Sequence, residues 1–248
     1  MNVPSVVVHP TAQVLAEATA ARLLLRLMDL QSVRRPLHVV LTGGTVGIAV
    51  LARVDASPLR DAVDWTGVHL WWGDERFLPT GHPDRNETQA RQALLDRLPV
   101  PADQVHPMPA ADAAPDPETA ATRYAAELAT LAPQGAAVPR FDVVLLGVGP
   151  DGHLASLFPG RPALEVTDLM VAGVRDSPKP PPLRVTLTYP ALAEAAELWL
   201  VAAGESKAEA VARALSGDDR HRTPSAGVRG RDRTRWLIDL AAAGRHTP

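Results

Sequence analysis

One histidine, His153, stands in the stretch GVGPDGHLASLFPG (residues 147–160), among glycines and prolines and directly after the apolar run FDVVLLG (141–147). Asp151 precedes it by two positions. A carboxylate at that spacing can fix the tautomer of an imidazole and leave a neutral ring able to take a proton near pH 7. A lone histidine is more often structural, yet bare glycines on both sides leave room for a ligand. His153 is the candidate general base, with Asp151 as its orienting acid. The other seven of the eight histidines show no H-x-H or H-E-x-x-H spacing, so no metal centre is expected.

Three further segments could act on the same ligand. In LTGGTVG (41–47), Gly43 and Gly44 let backbone N–H groups approach an anion at the start of a helix, and Thr45 adds a hydroxyl. Taken alone, a tight strand-to-helix turn accounts for it somewhat better than a phosphate site does. In WWGDERFLP (71–79), Asp74 and Arg76 follow an apolar strand, where Asp-x-Arg can orient a polar substrate and steady developing negative charge. A surface ion pair is the plainer alternative. In GESKAEA (204–210), a cap at Ser206 puts Lys207 in the first helical turn, against the helix dipole by roughly 0.3–1 kcal/mol. That misfit vanishes if Lys207 faces an anion held by the same helix end. Arg184, in PPLRVTL, is a further candidate clamp for an anion.

The elements that must carry these residues alternate. Short apolar runs at 5–8, 36–44, 68–73, 141–147, 183–189, 198–204 and 235–240 are separated by helical patterns, among them 12–30 and 86–98. The alternation predicts an α/β fold with a largely parallel sheet between helices. Asn86 with Gln89, and Ser206 with Glu209, have the spacing of capping boxes, and Asp116-Pro117 puts a cap before a first-turn proline. In such sheets ligands bind beyond the carboxyl ends of the strands, and all four segments fall there. The loops carry most of the 24 prolines, none of the segments between elements is long enough to link large domains, and one domain over 1–248 is expected.

Composition narrows the function classes. With 46% hydrophobic and 21% charged residues the chain can fill a core, which at 4% aromatics should be mostly Ala, Val and Leu. A net charge of −3 gives no broad basic footprint for nucleic acid, although a local basic pocket is compatible with it. The absence of cysteine removes disulfide and thiolate chemistry and suits a reducing cytoplasm. Neither a signal-peptide pattern nor a run of about 20 apolar residues is present, so a soluble protein without a membrane partner is expected.

At these same segments the sequence resembles the 6-phosphogluconolactonase family, related in fold to glucosamine-6-phosphate deaminases. LTGGT, WWGDERFLPTGHPDRN, GVGPDGHLASLFPG, PPLRVTLTYPAL, GESKAEA and WLID occur in the family's order between about residues 39 and 239. The resemblance implies a three-layer, Rossmann-like sheet of deaminase/lactonase type. It also implies hydrolysis of 6-phospho-D-glucono-1,5-lactone to 6-phosphogluconate in the pentose phosphate pathway, without a cofactor. His153 would activate water, and Arg76 would stabilise the oxyanion. Asp74 would orient the sugar ring or the base; Gly43, Gly44, Thr45, Lys207 and Arg184 would hold the substrate and its phosphate. A monomer is compatible with this reading. The chain departs from the family pattern at Val46, Arg85, Leu154 and Ala193.

Two rival functions differ in what they require. An amino-sugar-phosphate isomerase/deaminase needs an acid shortly after the histidine, and here the first is Glu165, twelve residues on. A non-catalytic sugar-phosphate sensor needs a partner or DNA-binding module and has no use for a base at His153.

Overall fold

Strand LHVVL (37–41) shows how the apolar runs fold. All five residues are buried, and their side chains divide by parity. Leu37, Val39 and Leu41 enter one core, and Val40 enters the other. A strand covered on both faces reads as a continuous apolar run because alternate side chains meet different helices.

The computed structural model describes residues 3–244. In chain order its elements are β1 (Ser5–His9), α1 (Ala12–Gln31), β2 (Leu37–Leu41), α2 (Gly44–Asp55), β3 (Val68–Trp72), β4 (Asp74–Arg76), α3 (Asn86–Ala93) and α4 (Pro117–Thr130). They continue with β5 (Val143–Gly147), β6 (Val171–Val174), β7 (Arg184–Leu187), α5 (Tyr189–Leu192), β8 (Glu197–Ala202), α6 (Ala208–Leu215), β9 (Arg233–Asp239) and α7 (Leu240–Ala243). Six strands form a parallel sheet in the order β1-β9-β8-β5-β2-β3. One core lies under α1, α2 and α3; the other lies under α4 to α7. No helix among the described residues is long and apolar enough to cross a membrane.

The cores are mostly Ala, Val and Leu, as the composition predicts, and tryptophans supply their largest side chains. Trp71 and Trp236 fill one, Trp72 and Trp199 the other, all almost fully buried. Four indoles supply bulk that alanine-rich helices lack.

The run LRVTLTY also departs from expectation. Its strand, β7, lies outside the parallel sheet, in a second, antiparallel sheet ordered β4-β7-β6. Segment DER becomes a strand, β4, instead of a loop. The chain leaves the parallel sheet at Gly73, whose N–H donates to Leu41 O (3.0 Å) and whose carbonyl accepts from Leu187 N (2.9 Å). One residue thus bonds to both sheets.

Helix starts divide likewise. Asp116 caps α4 by accepting from Thr119 N at 2.7 Å, with Pro117 in the first turn, as the sequence predicts. Asn86 does not cap α3, since it is the first helical residue and its amide turns back to Asp74. Ser206 makes no capping hydrogen bond either. It lies in a single 3-10 turn, Glu205–Lys207, and Lys207 immediately precedes α6.

Candidate active site

A cleft of about 720 Å³ opens beyond the carboxyl ends of β2, β5, β8 and β9. Gly43, Gly44, Thr45, Asp74, Arg76, His153, Arg184 and Lys207 all line it. Asp151 stands behind the His153 ring rather than on the wall. All four loops singled out by sequence therefore meet around one space.

The loop after β5 holds His153 by its own backbone. Gly149 N donates to His153 O at 2.8 Å, closing a tight turn. A Cβ on Gly149 would stand 1.9 Å from His153 Nδ1, so this position admits only glycine beside the ring. Nδ1 lies 2.5 Å from Asp151 Oδ1. A carboxylate accepts and never donates, so Nδ1 carries the proton and Nε2 of the neutral ring keeps its lone pair. The ring packs against Phe158, centroids 4.5 Å apart. Burial alone would raise the Asp151 carboxyl, but the His153 hydrogen bond and the Lys179 ammonium help to outweigh it and hold the group well below the usual carboxylate range.

Lys179 was not among the residues singled out by sequence. Its Nζ lies 3.4 Å from Asp151 Oδ1 and 3.2 Å from His153 Nδ1, and it lines the cleft. Lys207 lines the same cleft, and burial, then the charge of Lys179, lowers its pKa. A compositional signal for both exists. Among 25 Lys and Arg residues the chain contains two lysines, and they are these two. In a chain that otherwise uses arginine throughout, both compact ammonium groups stand in the cleft wall.

Arg184 is buried, and three of its hydrogen bonds go to backbone carbonyls. Nε donates to Pro181 O at 3.1 Å, and Nη2 donates to Lys179 O (3.0 Å) and Pro180 O (3.1 Å). Nη1 lies 3.8 Å from Asp74 Oδ2. The guanidinium thus pins the loop that carries Lys179. Asp74 is buried as well, accepting from Ser156 Oγ (2.6 Å) and Asn86 Nδ2 (3.3 Å). Arg76 donates from Nη1 to Asp84 O at 2.6 Å while lining the cleft.

Behind Asp74 lies Glu75, 1% exposed, which takes over the capping of α3. Its carboxylate accepts from Asn86 N (2.7 Å), Glu87 N (2.9 Å) and Arg76 N (2.8 Å). Burial pushes its pKa up to about 7, against the opposing pull of Arg85 and these three N–H groups. Arg85, a departure from the family pattern, is buried here and donates to Leu78 O and Met108 O. It bridges the loop before α3 to the segment near 108. Leu154, another departure, is fully buried in the core beneath the site.

Glu165, the first acid after His153, is exposed and bonds His221 Nδ1 at 2.8 Å, outside the cleft lining. Among the described residues no group of three His, Asp or Glu side chains is placed to hold a metal ion.

The sequence profile described as glucosamine-6-phosphate isomerases/6-phosphogluconolactonase matches residues 10–236. The chain belongs to this family. Within it, a Streptomyces coelicolor protein named 6-phosphogluconolactonase is 55% identical over 246 residues, covering 98% of this chain and 94% of that one. A Mycobacterium tuberculosis protein of the same name is 44% identical over 243 residues, covering 97% and 98%. Among solved structures, a 6-phosphogluconolactonase from Trypanosoma brucei superposes with a TM-score of 0.84 at 30% identity, covering 98% of each chain. The 6-phosphogluconolactonase from Trypanosoma brucei thus shares the fold over nearly the whole chain.

Proposed function

We propose that this chain hydrolyses 6-phospho-D-glucono-1,5-lactone to 6-phospho-D-gluconate, the lactone-opening step of the oxidative pentose phosphate pathway. The observation that carries the reading is the pairing of His153 with Asp151 on a wall shared with Lys179, Lys207 and the amino end of α2. A base with a free Nε2 and a cationic, N–H-rich pocket are what a phosphorylated ester requires. Relatives named 6-phosphogluconolactonase at 55% and 44% identity support the same substrate.

In this mechanism the phosphate rests against Lys207, Lys179 and the first N–H groups of α2 at Gly43, Gly44 and Thr45. Water, held at His153 Nε2, loses a proton to the ring as its oxygen bonds to the lactone carbonyl carbon. The imidazolium that forms is stabilised by Asp151. Arg76 faces the carbonyl oxygen as negative charge develops there. Collapse of the tetrahedral intermediate breaks the bond from that carbon to the ring oxygen. His153 returns its proton to the departing alkoxide, leaving a hydroxy acid that ionises. Asp74 and Arg184 act one layer back, holding Ser156, Asn86 and the Lys179 loop. One catalytic unit acting in the cytoplasm, without a cofactor, completes the reading.

The test is acid release from freshly generated lactone, followed at constant pH against a blank without protein, because the lactone opens spontaneously. Turnover above the blank that disappears in His153→Ala is expected. Binding of 6-phosphogluconate without turnover would make the protein a sensor. Ammonia release from glucosamine 6-phosphate would make it a deaminase. Either outcome overturns the proposal.

A further inference from the structure

At the end of the sheet opposite the cleft, charge is out of balance. Glu197, at the start of β8, is 3% exposed at its side chain and is approached by three guanidinium groups. Arg26 Nε lies 2.9 Å from Oε1, Arg233 Nη1 3.7 Å from Oε1, and Arg235 Nε 3.8 Å from Oε2. Trp199 Nε1 also donates to Oε2, at 3.0 Å. Arg22, one turn before Arg26 on α1, adds a fourth guanidinium whose field reaches Arg235.

The sequence dictates this grouping. Arg22 and Arg26 are four apart on a helix and share a face, while Arg233 and Arg235 are two apart on a strand and share a side. β9 pairs with β8 so that Arg233 stands opposite Glu197. Burying one carboxylate needs one or two donors, and here three guanidinium groups converge on it with a fourth, Arg22, beside them. Among the described residues, the ion pairs of Arg26, Arg233 and Arg235 run to Glu197 alone. The Nε atoms of Arg26 and Arg235 are buried and, although both lie toward Glu197, neither makes a hydrogen bond of good geometry. Like charges held this close in a folded protein repel unless an anion joins them, and a fork of N–H donors fits tetrahedral oxyanions best.

We propose that the arginine cluster on α1 and β9 is a second anion site, holding a small phosphate-class oxyanion through Arg22, Arg26, Arg233 and Arg235. The site lies at the amino ends of the strands, away from the catalytic cleft at their carboxyl ends, and does not depend on the lactonase reading.

Calorimetric titration with inorganic pyrophosphate at low ionic strength tests it. In Lys179→Ala/Lys207→Ala, which weakens the cleft, one binding event should remain. Adding Arg22→Gln and Arg235→Gln to that protein should weaken it at least tenfold, while Glu197 keeps Arg26 and Arg233. Should the fourfold variant fail to fold, Arg22→Gln alone in the lysine-free protein should weaken binding several-fold, because Arg22 pairs with no carboxylate among the described residues. Loss of all binding with the two lysines overturns the proposal. So does pyrophosphate affinity unchanged by the arginine substitutions, or a cluster that binds a short DNA duplex and not pyrophosphate.

Discussion

His153 Nδ1 lies 2.5 Å from Asp151 Oδ1. The contact bears on which ring nitrogen can work, because the carboxylate accepts a hydrogen bond from Nδ1–H and leaves Nε2 basic. Asp151→Asn keeps the volume but offers an N–H toward Nδ1, which favours the opposite tautomer. We expect kcat to fall at least a hundredfold with KM little changed, as in His153→Ala, because a base acts in the transition state. Steady-state kinetics on fresh lactone checks this, and a loss confined to KM would refute the assigned roles. Asp151 is held well below the usual carboxylate range, so it stays ionised as pH falls past 4, and an acid limb near neutrality would not be its own.

Lys207→Ala and Lys179→Ala should chiefly raise KM. A charge-assisted hydrogen bond to phosphate contributes about 1.5–3 kcal/mol, hence roughly tenfold to a hundredfold in capture. Lys179 also touches Asp151 and His153, so its removal should in addition shift the pH profile of kcat, which Lys207→Ala should leave in place. Comparing pH–rate profiles of the two variants separates phosphate binding from tuning of the base.

Gly149→Ala tests the backbone behind the base. The added methyl carbon would stand 1.9 Å from His153 Nδ1 and 2.6 Å from Asp151 Oδ1, so the ring must swing out of its seat. Activity should drop to nearly that of His153→Ala, while the midpoint of thermal unfolding moves by a few degrees at most. Full activity in this variant would show that the ring position described here is not needed for turnover.

Far from the cleft, His38 makes stability depend on acid. Burial, then the neighbouring His69, His106 and Arg34, push its imidazole down to about 3, and Nδ1 accepts from Trp71 Nε1 at 3.2 Å. The unfolded chain takes up a proton below about 6.5, and the folded chain does not. Stability is therefore full above 6.5 and falls with pH below it, by about 2 kcal/mol at pH 5. His38→Gln keeps an acceptor for Trp71 and removes the titration. Urea midpoints at pH 8, 6.5 and 5 should fall less steeply for the variant. Parallel lines would exclude His38 as the source.

The parallel strands were legible because a strand buried on both faces leaves an unbroken apolar run, as in VVLLG and LHVVL. The His153 loop was legible because glycine is required there by close approach. What stayed hidden depends on contacts distant in sequence. Nothing local tells that LRVTLTY pairs with three residues, Asp74 to Arg76, instead of joining the larger sheet. Asn86 has the chemistry of a cap, but Glu75, eleven positions earlier, reaches the helix start first. Lys179 sits in DSPKPPPLR, whose prolines announce a loop and conceal that Arg184 folds that loop onto the cleft.

The double bonding of Gly73, to Leu41 on one side and Leu187 on the other, has a mechanical outcome. The two sheets are welded together at a single residue, which fixes where β4, with Asp74 and Arg76, departs toward the cleft. Damage at that weld would misalign both halves together, leaving each chemically whole and neither able to work.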